Sequence, residues 1–267
     1  MNSERLINTF LDLVKINSVS KDEKSLALEL KSRLEKLGFE TYIDDADKKS
    51  GSNTGNLIAK LKGSKNVPPM MLSAHMDTVN PGYNIKPQII DGVIRSDGTT
   101  ILGADDKAGI ATILEAVTYI IENNIPHGPI EIVFTICEEI GLLGAKYLDH
   151  SKLQSKNAFV FDSSGEVGTV IIQGPAQKLI NATIKGKAAH AGLNPEKGID
   201  AIATAARAIS NMKLGRIDNE TTANVGIIKG GHSTNIVCDL LELEAEARSL
   251  DAKKLDNQVN HMIQCLK

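Results

Sequence analysis

Residues 130–141 read IEIVFTICEEIG. From Ile130 to Ile136 the run is apolar except for Glu131 and Thr135. That is the pattern of a strand buried on both faces of an α/β sheet, not the alternation of a half-exposed one. It closes on Cys137, Glu138 and Glu139. Two carboxylates at the end of a buried strand are costly unless something cationic neutralises them. No Arg or Lys lies nearby in the sequence. A metal ion is the simplest compensation, and an ordinary solvated strand end is the plain alternative.

Working outward, Lys107–Ile121 carries Ile110, Ile113, Leu114, Val117 and Ile121 on one face and predicts a helix. Phe39–Ile43, Asn56–Leu61 and Met70–Ala74 read as strands, with the polar loop Lys48–Gly55 between the first two. Ser20 and Glu23 have capping-box spacing. Leu26, Leu30, Leu34 and Leu37 then recur at helical spacing, and Gly38 sits where a left-handed C-terminal residue is wanted. Asp91-Gly92 between Ile89–Ile90 and Val93–Ile94 predicts a tight hairpin. Ala158–Phe161 and Thr169–Ile172 read as further short strands. Strands interleaved with helices define an α/β layered domain. After Gly174-Pro175 the pattern resets: strand Lys178–Ile184, helix Ile199–Met212, strands Thr222–Ile228 and Val237–Ala247, helix Ala252–Leu266. That β-α-β-β-α order is ferredoxin-like without its last strand.

The chain has 267 residues, enough for about two domains at roughly 150 residues each. Its formal net charge of −3 gives no electrostatic reason to expect nucleic acid or an anionic membrane as partner. Aromatic residues make up 3% and Trp is absent, which argues against a stacking platform for bases. No apolar run approaches a membrane span. Cys137, Cys238 and Cys265 are odd in number and form no C-x-x-C pair, so a reducing cytoplasm is the expected location.

Polar residues collect at the ends of the apolar strands, where open α/β sheets place ligands. His75 and Asp77 are two apart at a strand end and point to the same side. A carboxylate beside an imidazole fixes its tautomer and raises its basicity as a ligand, although a structural His–Asp pair reads the same way. Asp105 and Asp106 precede a helix, where acids also serve as caps. Asp162 follows the strand Ala158–Phe161 and alone would read as a turn residue. Jointly, four strand ends supply His, Asp, Glu-Glu and Asp in chain order. Zn²⁺ and Mn²⁺ accept that nitrogen and oxygen mix, and two such ions sharing a carboxylate would make a hydrolytic centre.

The sequence resembles the co-catalytic zinc peptidase family of peptidase T, glutamate carboxypeptidases, aminoacylases and succinyl-diaminopimelate desuccinylase. The match rests on SAHMDTV (73–79), LGADDKAGIA (102–111), CEEIG (137–141) and FDSSGEVG (161–168). It continues in GKAAHAG (186–192), GGHSTNIV (230–237) and EARSLD (246–251). The DDKAG and EEIG forms look closest to the tripeptidase T branch. The resemblance implies a catalytic domain over 1–175, with a mainly parallel mixed sheet between helices, and a ferredoxin-like lid and dimerisation domain over 176–267. It implies His75, Asp105, Glu139 and Asp162 as metal ligands, with Asp105 shared by both ions. Asp77 is then the partner of His75 and Glu138 the general base and acid. His190, Asn235 and Arg248 match positions facing substrate, and the Asp105–Asp106 peptide bond is expected to be cis. The family pattern also calls for a second histidine ligand, the last lid strand and the closing part of the catalytic sheet beyond Lys267.

The expected activity is that of a two-zinc exopeptidase, an aminopeptidase acting on short peptides, with Mn or Co as possible substitutes and a homodimer formed through the lid. An amidohydrolase of N-acyl amino acids on the same site, and an inactive metal-binding or dimerisation module, are the competing readings.

Overall fold

The computed structural model describes residues 1–267, which form two compact units, Met1–Glu166 and Val167–Lys267. Unit 1 opens with α1 (Ser3–Lys15) and α2 (Lys24–Lys36), followed by β1 (Glu40–Ile43), the single turn α3 (Asp47–Ser50), β2 (Leu57–Leu61) and β3 (Met70–His75). The hairpin β4 (Gln88–Ile90) and β5 (Val93–Arg95) leads to the long helix α4 (Ala104–Glu122). β6 (Ile130–Thr135), the short α5 (Leu143–Lys146) and β7 (Ala158–Val160) complete the unit.

The main sheet has the order β1-β2-β6-β3-β7. β3 is parallel to both β6 and β7, while β2 opposes β6 and β1 opposes β2. Four of the five strands therefore run the same way, and the ends of β6, β3 and β7 come out on one edge of the layer. α2 packs on β1 and β2, α4 on β3, and α1 against α4. The first five residues of β6 are all buried, as its apolar run requires. Glu131 is tolerated there because the amides of Gln154 and Ser155 and the ammonium of Lys60 reach its carboxylate. Leu26, Leu30 and Leu34 are fully buried and Gly38 is left-handed, as the leucine spacing predicts. Asp91 and Gly92 both have positive φ, the requirement of the tight hairpin turn their pairing predicts.

Three local expectations are corrected. Ser20 and Glu23 do not form a capping box: Glu23 is the N-cap residue but makes no capping bond, and both side chains are turned to distant parts of the unit. Lys48–Gly55 is not all loop, since its first residues belong to the turn α3. Thr169–Ile172 forms no strand. Its β-branched residues have strand propensity but no ladder partner, and Val170, Ile171 and Ile172 stay exposed.

Unit 2 runs β8 (Ala176–Lys185), α6 (Ala201–Asn211), β9 (Gly215–Arg216), β10 (Thr221–Gly230), β11 (Leu240–Ser249) and α7 (Ala252–Leu266). Its sheet has the order β8-β11-β10-β9 and is antiparallel throughout. Along β11, Leu241, Leu243, Ala245 and Ala247 are buried while their neighbours face outward. The buried row packs with Ala201 and Ala205 of α6 and Leu255 and Met262 of α7. Asp200 and Asp251 cap the two helices by accepting amide hydrogens from their first turns.

Candidate metal centre

His75 ends β3 and is 2% exposed. Its Nδ1 lies 2.9 Å from the Asp77 carbonyl oxygen and 3.5 Å from the Asp77 carboxylate. Its Nε2 lies 2.9 Å from Asp105 Oδ1 and 3.7 Å from Asp162 Oδ1. Two sets of donor atoms converge on this imidazole, one with Asp105 and Asp162, the other with Glu138 and Glu139. Within each set the atoms lie within 4.8 Å of one another. The sheet topology produces this convergence: β6 delivers Glu138 and Glu139, β3 delivers His75, and β7 delivers Asp162.

Asp105 comes from the start of α4, which is not yet helical there: Asp105 and Asp106 have extended and irregular dihedrals, and their peptide bond is cis, as the resemblance implies. Regular helix begins at Lys107, the start predicted from the apolar spacing. Asp106 turns inward and accepts from the His75 amide at 3.3 Å and the Gly109 amide at 3.1 Å. A Cβ on Gly109 would stand 2.2 Å from Asp106 Oδ1 and 2.6 Å from the Phe161 carbonyl oxygen. The absence of a side chain at that position lets α4 approach the chain just before Asp162. Lys107 is fully buried and its ammonium donates to the Ile16 carbonyl, away from the acids.

No lysine or arginine pairs with any carboxylate of the cluster; its ion pairs all run through His75. The electrostatics follow. Burial first, then neighbouring acids, raise the carboxyls of Glu138, Glu139 and Asp162 above their ordinary range. Burial raises Asp106 to about 8. Burial alone would lower His75, but Asp77, Asp105 and Asp162 outweigh it and raise the imidazole to about 10. Burial would raise Asp77, yet hydrogen bonds from His75, Ser20 and the Glu138 amide hold it below the usual carboxylate range.

The structure thus brings together His75, Asp77, Asp105, Glu138, Glu139 and Asp162. In unit 2, His190 and Asn235 lie on neighbouring segments joined by the Ala191 amide to the Asn235 carbonyl, and both are exposed. Arg248 is not grouped with them. It lies toward the far end of β11, eight residues or about 26 Å along the strand from Leu240, and its guanidinium is held by Glu246 at 3.0 and 3.1 Å. The sequence reading missed Ser20, Glu23 and Asn56, whose side chains support the Glu138 turn from below. Only their distant partners reveal that role, so spacing along the chain carried no signal for it.

Comparison with known proteins fixes the class of this molecule. The sequence model of Peptidase family M28 matches residues 56–212, more than half of the chain, and that of the Peptidase dimerisation domain matches residues 178–267. The chain belongs to the co-catalytic metallopeptidase family and is a hydrolase of the peptidase class. It is 48% identical over 262 residues to the uncharacterized protein YqjE of Bacillus subtilis, covering 98% of this chain and 71% of that one. The crystal structure of aminopeptidase PepT from Bacillus cereus superposes with a TM-score of 0.93 at 49% identity, covering 100% of this chain and 72% of that one. A tripeptidase from Staphylococcus aureus does so with a TM-score of 0.97 at 47% identity, again over 100% and 72%. Within the family, then, this chain is peptidase T-like.

Proposed function

We propose that this protein is a metal-dependent aminopeptidase acting on short peptides, with tripeptides as its preferred class. One observation carries the reading: a buried imidazole shared by two sets of acids that no lysine or arginine neutralises. That donor set of one nitrogen and several carboxylate oxygens suits Zn²⁺, Mn²⁺ or Co²⁺. The relatives named aminopeptidase and tripeptidase support the choice of substrate.

In this assignment His75, Asp105 and Asp162 would hold one ion, and Asp105 and Glu139 the second. Ions bound there would supply Lewis acidity, which polarises a scissile carbonyl and lowers the pKa of an attacking water to about 7. Asp77 keeps the His75 ring in its orientation from behind. Glu138 takes the proton of the attacking water on its carboxylate and hands it to the leaving amine. Its raised carboxyl suits that exchange better than an ordinary surface glutamate would. His190 and Asn235 are assigned to substrate recognition. Arg248 serves in that role only by exchanging Glu246 for a peptide carboxylate.

We assign catalysis to residues 1–175 and the lid and dimer contact to 176–267, the latter supported by the match to the dimerisation domain. No helix is long and apolar enough to cross a membrane. The three unpaired cysteines support a cytoplasmic location.

Hydrolysis of Ala-Ala-Ala and of N-acetyl amino acids by the Zn²⁺-, Mn²⁺- or Co²⁺-supplemented protein tests the function. The expected result is release of free alanine that a chelator abolishes. Turnover of the acylated amino acids alone would instead establish an amidohydrolase, and no turnover of either would leave a binding module.

Metal uptake also has a proton signature. With His75 raised to about 10, its imidazole is protonated at neutral pH in the metal-free protein. A ligand must be neutral, so binding releases that proton and affinity rises with pH. Calorimetric titrations at pH 7.5 in buffers of different ionisation enthalpy are expected to report release of about one proton or more per chain. A buffer-independent heat would contradict the assignment of His75.

A further inference from the structure

The turn after β6 is fastened from below by buried side chains, one amide at a time. The Ile136 amide donates to Asn56 Oδ1 at 3.1 Å. The Cys137 amide donates to Glu23 Oε1 at 3.0 Å. The Glu138 and Glu139 amides donate to the Asp77 carboxylate at 2.8 and 3.2 Å. Asn56, Glu23 and Asp77 are all 0% exposed.

Glu23 is the least expected of the three. It sits 114 residues from Cys137, and no cation reaches its carboxylate. The site instead supplies the Lys21 and Cys137 amides and the Cys137 thiol to Oε1, and the Ser52 hydroxyl to Oε2. A buried carboxylate is destabilising unless such donors surround it. Cys137 itself has φ of 51°, a left-handed conformation that residues other than glycine rarely adopt. The hydrogen bond from its amide to Glu23 braces it there, and this conformation sets where the next two side chains leave the backbone. The neighbouring Ser20 hydroxyl donates to Asp77 at 2.6 Å, so one loop between α1 and α2 braces both acids that grip the turn.

We propose that Glu23 is a positioning residue: its buried carboxylate fixes the Cys137 amide and so aims Glu138 and Glu139 at the His75 cluster. The inference rests on the reading of that cluster as a two-ion centre. It goes beyond that reading by adding a carboxylate that touches neither ion nor substrate.

The test is calorimetric titration of Co²⁺ into the chelator-treated 267-residue protein and its E23A, E23Q and S52A variants, with circular dichroism to report folding. The wild type is expected to bind two ions. E23A weakens the ion assigned to Glu139 by about 10–100-fold, the usual effect of losing a partner behind a ligand. E23Q, whose amide oxygen still accepts from Cys137, stays close to wild type. S52A removes a donor from the other carboxylate oxygen only, so it lowers thermal stability and leaves Co²⁺ affinity close to wild type. If E23A does not fold, E23D, which keeps the charge but withdraws it by one methylene, is expected to show the same weakening. Unchanged affinity in E23A or E23D, or an equal loss in S52A, overturns the proposal. A wild type that binds fewer than two Co²⁺ overturns the two-ion reading itself, and the role of Glu23 with it.

Discussion

Replacing Glu138 by glutamine is expected to lower kcat for a tripeptide by about 10²–10⁴-fold, the usual contribution of a positioned proton carrier. KM and metal content are expected to stay close to wild type. Glutamine keeps the shape of the side chain and leaves the backbone amide on Asp77 undisturbed, so the turn has no reason to move. What disappears is a carboxylate able to exchange a proton. The same substitution at Glu139 is expected to behave differently, costing bound metal as well as rate. Turnover and metal analysis of the two variants side by side separate the roles. A Glu138→Gln enzyme of undiminished kcat would remove Glu138 from the chemistry.

His75→Ala is expected to have a comparably large effect by another route. His75 is the only nitrogen donor common to both acid sets. Its loss should weaken divalent-ion binding by more than the roughly 10–100-fold seen when a mere outer partner is removed. The metal-free protein gives a second readout. The folded imidazole is raised to about 10, against an ordinary value near 6.5. Its contribution to stability is full below the unfolded value and is lost as pH rises toward 10, because the folded state binds the extra proton across that window. Urea unfolding of the chelated wild type should therefore show this contribution shrinking between about pH 6.5 and 10. His75→Ala should lack that component. Equal pH slopes in the two proteins would show that His75 is not held protonated by its acids.

Much of the candidate cluster, as a convergence of His75 and acids, was legible because each member closes an apolar strand or opens an apolar helix. A carboxylate pair after Ile130–Ile136 is conspicuous, and H-x-D after Met70–Ala74 shares its side of the strand. The leucines of α2 and the Asp-Gly turn were legible because their partners are local. Ser20 and Glu23 were misread for the opposite reason. Their spacing satisfies a local rule, but partners 57 and 114 residues away claim both side chains. Thr169–Ile172 failed similarly, since propensity describes a residue and a strand needs a neighbour. The separation of Arg248 from His190 and Asn235 depends on how far β11 extends, which motif matching does not encode.

The place of β3 in its sheet has a consequence for how the protein is made. Both of its ladder partners, β6 and β7, come later in the chain. A nascent chain emerging from the ribosome therefore carries His75 with no ladder partner until β6 is made, and without its full set of donors until Asp162 has been synthesised. At about 5–20 residues per second that interval is roughly 4–17 s. During it the donor set around the imidazole is incomplete, so loading of the proposed ions is tied to closure of the first unit and follows synthesis of most of the polypeptide.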